Sequence, residues 1–210
     1  MKIENVFEVW FFQDFRYLWT IGFLTSGARW LEIMVLSVIT WQWFEDASYA
    51  AWLFAIRMFA VATTGTIFTF LSNVVSGQKV MILSQLLVAI SCLTSYFAIE
   101  FSPFFGMLCL SLISFFSGAL WSVDFSYRRR MLADSLPPSI VISGVSLDVM
   151  SSHATRFLGM LAGGTLLAYL ENDNVFLVLF FVYTVATILF VKCKDAAKGL
   201  DKVESKIQVS

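Results

Sequence analysis

FRYLWTIGFLTSGARWLEIMVLSVITWQW, residues Phe15–Trp43, decides how this chain folds. A helix rising about 1.5 Å per residue needs about 20 apolar residues to cross a bilayer, and this run exceeds that. It nevertheless carries Arg29 and Glu32 near its middle. They are three residues apart, so they share a helix face and can pair within the span. Charge inside hydrocarbon is expensive and is normally kept for a pathway or a partner.

Five more apolar runs follow, at Tyr49–Leu71, Val80–Ile99, Phe104–Phe125, Ile140–Tyr169 and Val175–Val191. The fifth span exceeds one bilayer thickness and should tilt or project into the cytosol. The pattern predicts an all-α, polytopic membrane protein with six transmembrane helices. Composition agrees: 59% of the 210 residues are hydrophobic and 14% charged, with mean hydropathy +0.79, too little polar surface for a soluble domain.

Net charge is −1, so no broad basic field argues for nucleic acid. The charges are sorted by side instead. The tight connections at Glu45–Asp46, Glu100 and Glu171–Asp173 hold acids and no Lys or Arg. The opposite side holds Lys2, Arg16, Lys79, Arg128, Arg129, Arg130, Lys192, Lys194 and the tail lysines. That asymmetry predicts cytosolic termini in a multi-pass plasma-membrane protein. Residues 1–14 read as an interfacial arm, with Phe7, Trp10, Phe11 and Phe15 on one helical face. Residues 15–192 form the six-helix domain, and 193–210 a polar cytosolic tail. The connection around Arg128–Pro138 ends in two prolines, suited to a loop and the first turn of the fifth helix. Cys92, Cys109 and Cys193 match no disulfide, zinc or redox spacing, and no cofactor is implied.

The intramembrane charges are the candidate site. Besides Arg29 and Glu32 they are Arg57 on the second span and Asp148, His153 and Arg156 on the fifth, all expected to point into the bundle. In a functional reading, Glu32 or Asp148 carries a proton, and Arg29, Arg57 or Arg156 holds an anionic group or tunes an acid. In a structural reading, they are ion pairs that fix helix packing. Asp124 and Arg128, four apart, should pair along their helix. A single histidine makes a metal site a poor reading. Hydroxyls such as Thr63, Thr64, Ser114 and Ser117 line a path or bond back to their own helices.

Thr155-Arg156-Phe157-Leu158-Gly159-Met160-Leu161-Ala162-Gly163-Gly164 resembles the glycine motif of antiporters in the major facilitator superfamily. Gly159, Gly163 and Gly164 match that motif, while Thr155 replaces Gly and Met160 replaces Pro. Asp14-Phe15-Arg16-Tyr17-Leu18-Trp19, Arg57, and Arg130–Pro137 are similar to stretches of the multidrug and siderophore exporters of that superfamily. Asp148 stands where those exporters commonly have Asn. The resemblance covers about residues 10–192. It implies a half bundle of two three-helix units, spans one to three and four to six, acting by alternating access in proton-coupled export of a small organic solute. Arg29, Glu32, Arg57, Asp148 and Arg156 would be its pathway residues, and the three glycines its helix-packing motif.

Three departures stand out. Asn73-Val74-Val75-Ser76-Gly77-Gln78-Lys79 lacks the acid and most of the basic charge of the family's latching loop. Arg29 stands where an Asp is usual, and the chain spans one half of a two-half transporter. One half leaves its pathway face open to lipid. A second six-helix chain is therefore expected as partner, a different chain in preference to a second copy. A rival reading is a non-transporting or regulatory subunit. Another is an intramembrane aspartyl protease using Asp124 and Asp148, for which the Gly-x-Gly-Asp pattern is missing at Asp148.

Overall fold

The computed structural model describes residues 8–71, 77–99 and 102–193. The first seven residues, Asn73–Ser76 of the altered loop, Glu100 and the polar tail beyond Cys193 lie outside the described residues. Six long helices carry the described chain: α1 Gln13–Phe44, α2 Ala47–Leu71, α3 Gly77–Ala98, α4 Pro103–Asp134, α5 Val141–Tyr169 and α6 Asn172–Lys192. α4 is the unexpected one. It does not stop near Phe125 but runs on through a π-helical turn, Asp124–Arg128, and a last α-helical stretch, Arg129–Asp134. The basic run read as a loop is thus mostly helix, ending in an exposed Arg130–Asp134 pair at 3.9 Å. Ahead of α1, Val9–Phe11 make a 3-10 turn, and extended Phe12 interrupts the helical path. Val9 and Phe15 are buried while Phe11 is exposed.

Local chemistry closes the ends. Glu45 takes a left-handed conformation (φ 53°) that stops α1, and its N–H bonds to the Trp41 carbonyl at 2.9 Å. Asp46 then caps α2, accepting from the Ser48 N–H at 2.8 Å. Ser102 caps α4 through the Phe105 N–H, with Pro103 at the first helical position. α1 and α6 are tied at both ends. Asn172 Nδ2 donates to Gln42 Oε1 at 2.7 Å, and Cys193 Sγ reaches Asp14 Oδ1 at 3.9 Å.

α1 packs most extensively along α5, α2 along α4, and α3 along α6, with α3 also on α4 and α6 also on α1. Exchange helices one to three with four to six, and these pairs map onto one another. That is the plan of two three-helix units. Close approach has a visible cause at two crossings. A Cβ on Gly159 would lie 2.4 Å from the Gly27 carbonyl oxygen, and one on Gly118 equally close to that of Arg57. Gly163 also lies tight on α1, at 3.1 Å from the Leu31 carbonyl, whereas Gly164 meets only the Met34 methyl at 3.8 Å.

Five of the six helices are long and apolar enough to cross a membrane. α5 is the sixth; it is long enough, but its charges and small polar residues lower its hydropathy. Its buried positions are Ser143, Gly144, Asp148, Thr155, Gly159 and Gly163, while Ile142, Met150, Phe157 and Leu161 face outward. A helix with polar side chains inside and apolar ones outside suits lipid, not water.

Candidate functional site

Two charged junctions lie inside the bundle. At the first, Glu32 of α1 pairs with Arg57 of α2 and accepts from the Tyr183 hydroxyl of α6 at 3.2 Å. Arg57 also donates to Ser117 Oγ of α4 at 3.1 Å. Four helices therefore meet through one acid and one base. Glu32 is fully buried and Arg57 is 1% exposed. The pairing of Arg29 with Glu32 that their spacing allows is not the one formed: each engages a different helix. Arg57 reaches its position because Leu53, Arg57 and Ala60 share the narrow face of α2 that packs on the bundle.

The second junction centres on Arg128, which is 1% exposed. Its Nε donates to Asp124 Oδ1 at 2.5 Å, the expected pair along the helix. Nη1 donates to Asp148 Oδ1 of α5 at 2.8 Å and to the Leu18 carbonyl of α1 at 3.3 Å. Nη2 donates to Asp148 Oδ2 at 3.3 Å and Asp124 Oδ2 at 3.5 Å. All five guanidinium donors are thereby used. The guanidinium lies flat on α1 only because residue 22 is Gly; a Cβ there would sit 2.3 Å from Arg128 Nη1. Arg128 lies between Asp124 and Asp148, the two carboxylates a protease reading would join.

Beside this junction a cavity of about 250 Å³ opens on the bundle surface between α1, α4 and α5. Arg29 lies at its floor, 3% exposed, with a long 3.7 Å contact from Nη2 to Asp124 Oδ2. Arg129 reaches Asp148 Oδ2 at 3.3 Å. Arg156 and His153 are exposed at its rim, and Arg156 lies over Trp30. These two side chains do not point into the bundle as expected; they line a cleft open on this side. A second cavity, of about 310 Å³, lies against Arg57 between α1 and α2, with Ser114 at its base.

The candidate residues thus separate into Glu32 and Arg57 at one junction, Asp148 at the other, and Arg29 and Arg156 around the open cavity. Sequence reading missed Tyr183, which completes the Glu32 junction, and Gly22, which admits Arg128. It also counted Arg128 among basic side charges, though it is the most fully bonded ion of the site. The apolar setting of Tyr183 and the lone Gly22 in an apolar span were the available signals.

The architecture is a helical bundle of two exchangeable three-helix units with a charged cleft on one face. Residues 18–209 match the family model of the Major Facilitator Superfamily. No curated protein matches the chain. The family match runs from the first turns of α1 past the end of α6, over the same paired three-helix plan that the packing displays, and the chain belongs to the major facilitator superfamily.

Proposed function

We propose that this chain is one six-helix unit of a proton-coupled exporter of a small organic solute. Family membership carries the coarser statement, membrane transport of a small solute, in a family of transporters and not of enzymes. The observation that carries the finer one is the charged cavity open on the face of α1, α4 and α5. A guanidinium facing lipid tails is costly, so Arg156 at the rim calls for a covering protein surface. A second six-helix unit, on another chain, supplies it and completes a central pathway. The resemblance to multidrug and siderophore exporters supports export. The gathering of Lys and Arg at the end bearing the N-terminus of α1 supports a plasma membrane with both termini cytosolic.

Glu32 is the proton carrier in this reading. Both its oxygens are engaged, so a proton must replace a guanidinium. The cavity beside Arg57 gives that side chain space to withdraw. Asp148 is the second carrier, with Arg128 its counter-ion.

Proteoliposomes holding the chain with any helical unit that co-purifies would be offered a mixture of labelled small organic compounds under an imposed pH gradient. Mass spectrometry of their contents should show gradient-dependent accumulation that Glu32→Gln removes. Accumulation surviving Glu32→Gln with Asp148→Asn removes the proton-carrier assignment. No accumulation at all favours a non-transporting or regulatory subunit. The full ion pairing of Glu32 and Asp148 is what supports that second reading.

A further inference from the structure

Three arginines around the open cavity share one construction. Arg156 lies over Trp30 at 4.2 Å from the ring centroid, Arg29 over Trp121 at 4.9 Å, and Arg129 over Phe125 at 4.0 Å. The rings also touch one another. Trp30 meets Trp121 edge-on at 6.1 Å, and Trp121 meets Phe125 at 6.4 Å. Three cations therefore stand on one continuous aromatic run that crosses from α1 to α4. A ring beneath a guanidinium fixes its plane, and its N–H donors then project sideways from the ring instead of into it.

The charges here do not balance. Arg29, Arg128, Arg129 and Arg156 face two carboxylates, Asp124 and Asp148, and Arg128 engages both of those bidentately. Arg29 keeps only its 3.7 Å contact, and among the described residues its Nη2 donates no hydrogen bond. That atom belongs to a side chain more than nine-tenths buried, at the floor of the cavity. A buried guanidinium donor with no acceptor is costly, and an oxygen anion in the cavity satisfies it. The positive excess repels a cation and gives a neutral solute no advantage.

We propose that this cavity binds a small organic anion, with Arg29 and Arg156 donating to carboxylate- or phosphate-type oxygens. The anion is then the cargo class of the transport function proposed above, and only its role as cargo rests on that reading. The volume of about 250 Å³ lies below the about 300–1,000 Å³ of drug-sized sites, so the ligand is small, on the scale of a single ring. The same oxygen chemistry exists in an anionic lipid headgroup, and the assignment here is to a free solute.

The test uses the full chain in nanodiscs of zwitterionic lipid, with quenching of tryptophan fluorescence as readout. The probes are benzoate and phenyl phosphate, with benzamide as the neutral match and benzylamine as the cation. Saturable binding of the anions, at least about tenfold tighter than benzamide or benzylamine, is expected. Arg156→Gln, at an exposed position, and Arg29→Lys should each weaken the anions by about tenfold, while Arg16→Gln leaves them unchanged. Trp30→Phe should shrink the quenching amplitude. No saturable anion binding, equal binding of benzamide, or indifference to Arg29→Lys and Arg156→Gln would overturn the proposal. Loss of benzoate binding when phosphatidylglycerol is added to the discs would overturn the solute assignment in favour of a headgroup. Anion binding without any flux in proteoliposomes sinks the transport function and leaves this site standing; flux of neutral solutes without anion binding does the reverse.

Discussion

Glu32 and Arg57 are each buried with the other as chief counter-ion. Removing one partner of such a pair costs about 3–5 kcal/mol, because the survivor is left charged and dry. We expect Glu32→Gln to lower the melting temperature of the detergent-solubilised chain markedly. Glu32→Gln combined with Arg57→Met should lose less than the two single effects added, which a double-mutant cycle reads directly. Gly22→Ala should also destabilise, by about 1–3 kcal/mol, since the new methyl displaces a guanidinium that five hydrogen bonds hold in place. Gly27→Ala, five residues on and with nothing within 4 Å of its Cβ, should stay within about 0.5 kcal/mol in the same thermal scan. At this scale the sequence revealed which residues are costly to bury and concealed whom they meet. Spacing along one helix made Arg29 and Glu32 neighbours, but partners across helices depend on crossing geometry that no local pattern encodes. The Asp124–Arg128 pair was legible because both members lie on one helix.

Helix crossings carry the next prediction. A side chain at Gly159 would strike the Gly27 carbonyl and the Trp30 Cβ, so Gly159→Leu should push α5 off α1 and broaden or abolish the folded peak in size-exclusion chromatography. Gly164→Ala, opposite only a distant methyl, should elute as the unaltered chain does. The turn between α1 and α2 gives a pH signature. The Ser48 N–H bonded to Asp46 holds that carboxyl below its usual range. Its cap is therefore fully present above the ordinary Asp pKa and is lost as pH falls through the lowered folded value. Hydrogen exchange at Ser48 should quicken on acidification through that window, and Asp46→Asn should flatten the response. Element positions were largely readable: hydropathy placed α1, α2 and α6 to within a few residues. α4 was cut short because three arginines in a row look like a loop. Arg128 turns inward, Arg129 onto Phe125 and Asp148, and Arg130 toward Asp134, which only a helix can arrange.

At the scale of the molecule, the open cleft predicts company. Native mass measurement in a mild lipid mimic should return a species heavier than the 23.7 kDa of one chain. A second, unequal mass would identify a different partner, a doubled mass a second copy, and a single mass would remove the covering unit altogether. The six-helix plan and its membrane setting were visible from hydropathy, and the pairing of three-helix units from the glycine motif. The cavity was not, because it is assembled from Trp30, Trp121 and Arg129, residues that are unremarkable one at a time. One local irregularity reaches this scale too. A π turn is an α-helix with one surplus residue, and Asp124–Arg128 keeps that surplus where α4 meets both α1 and α5. Deleting a single residue there would let the coil rewind evenly, swinging the rest of α4 by about 100° and drawing it back by about 1.5 Å. The slack in that one loop of backbone is what aims Arg128 at two neighbours at once, so α4 is tuned like a screw whose last thread was deliberately cut wide.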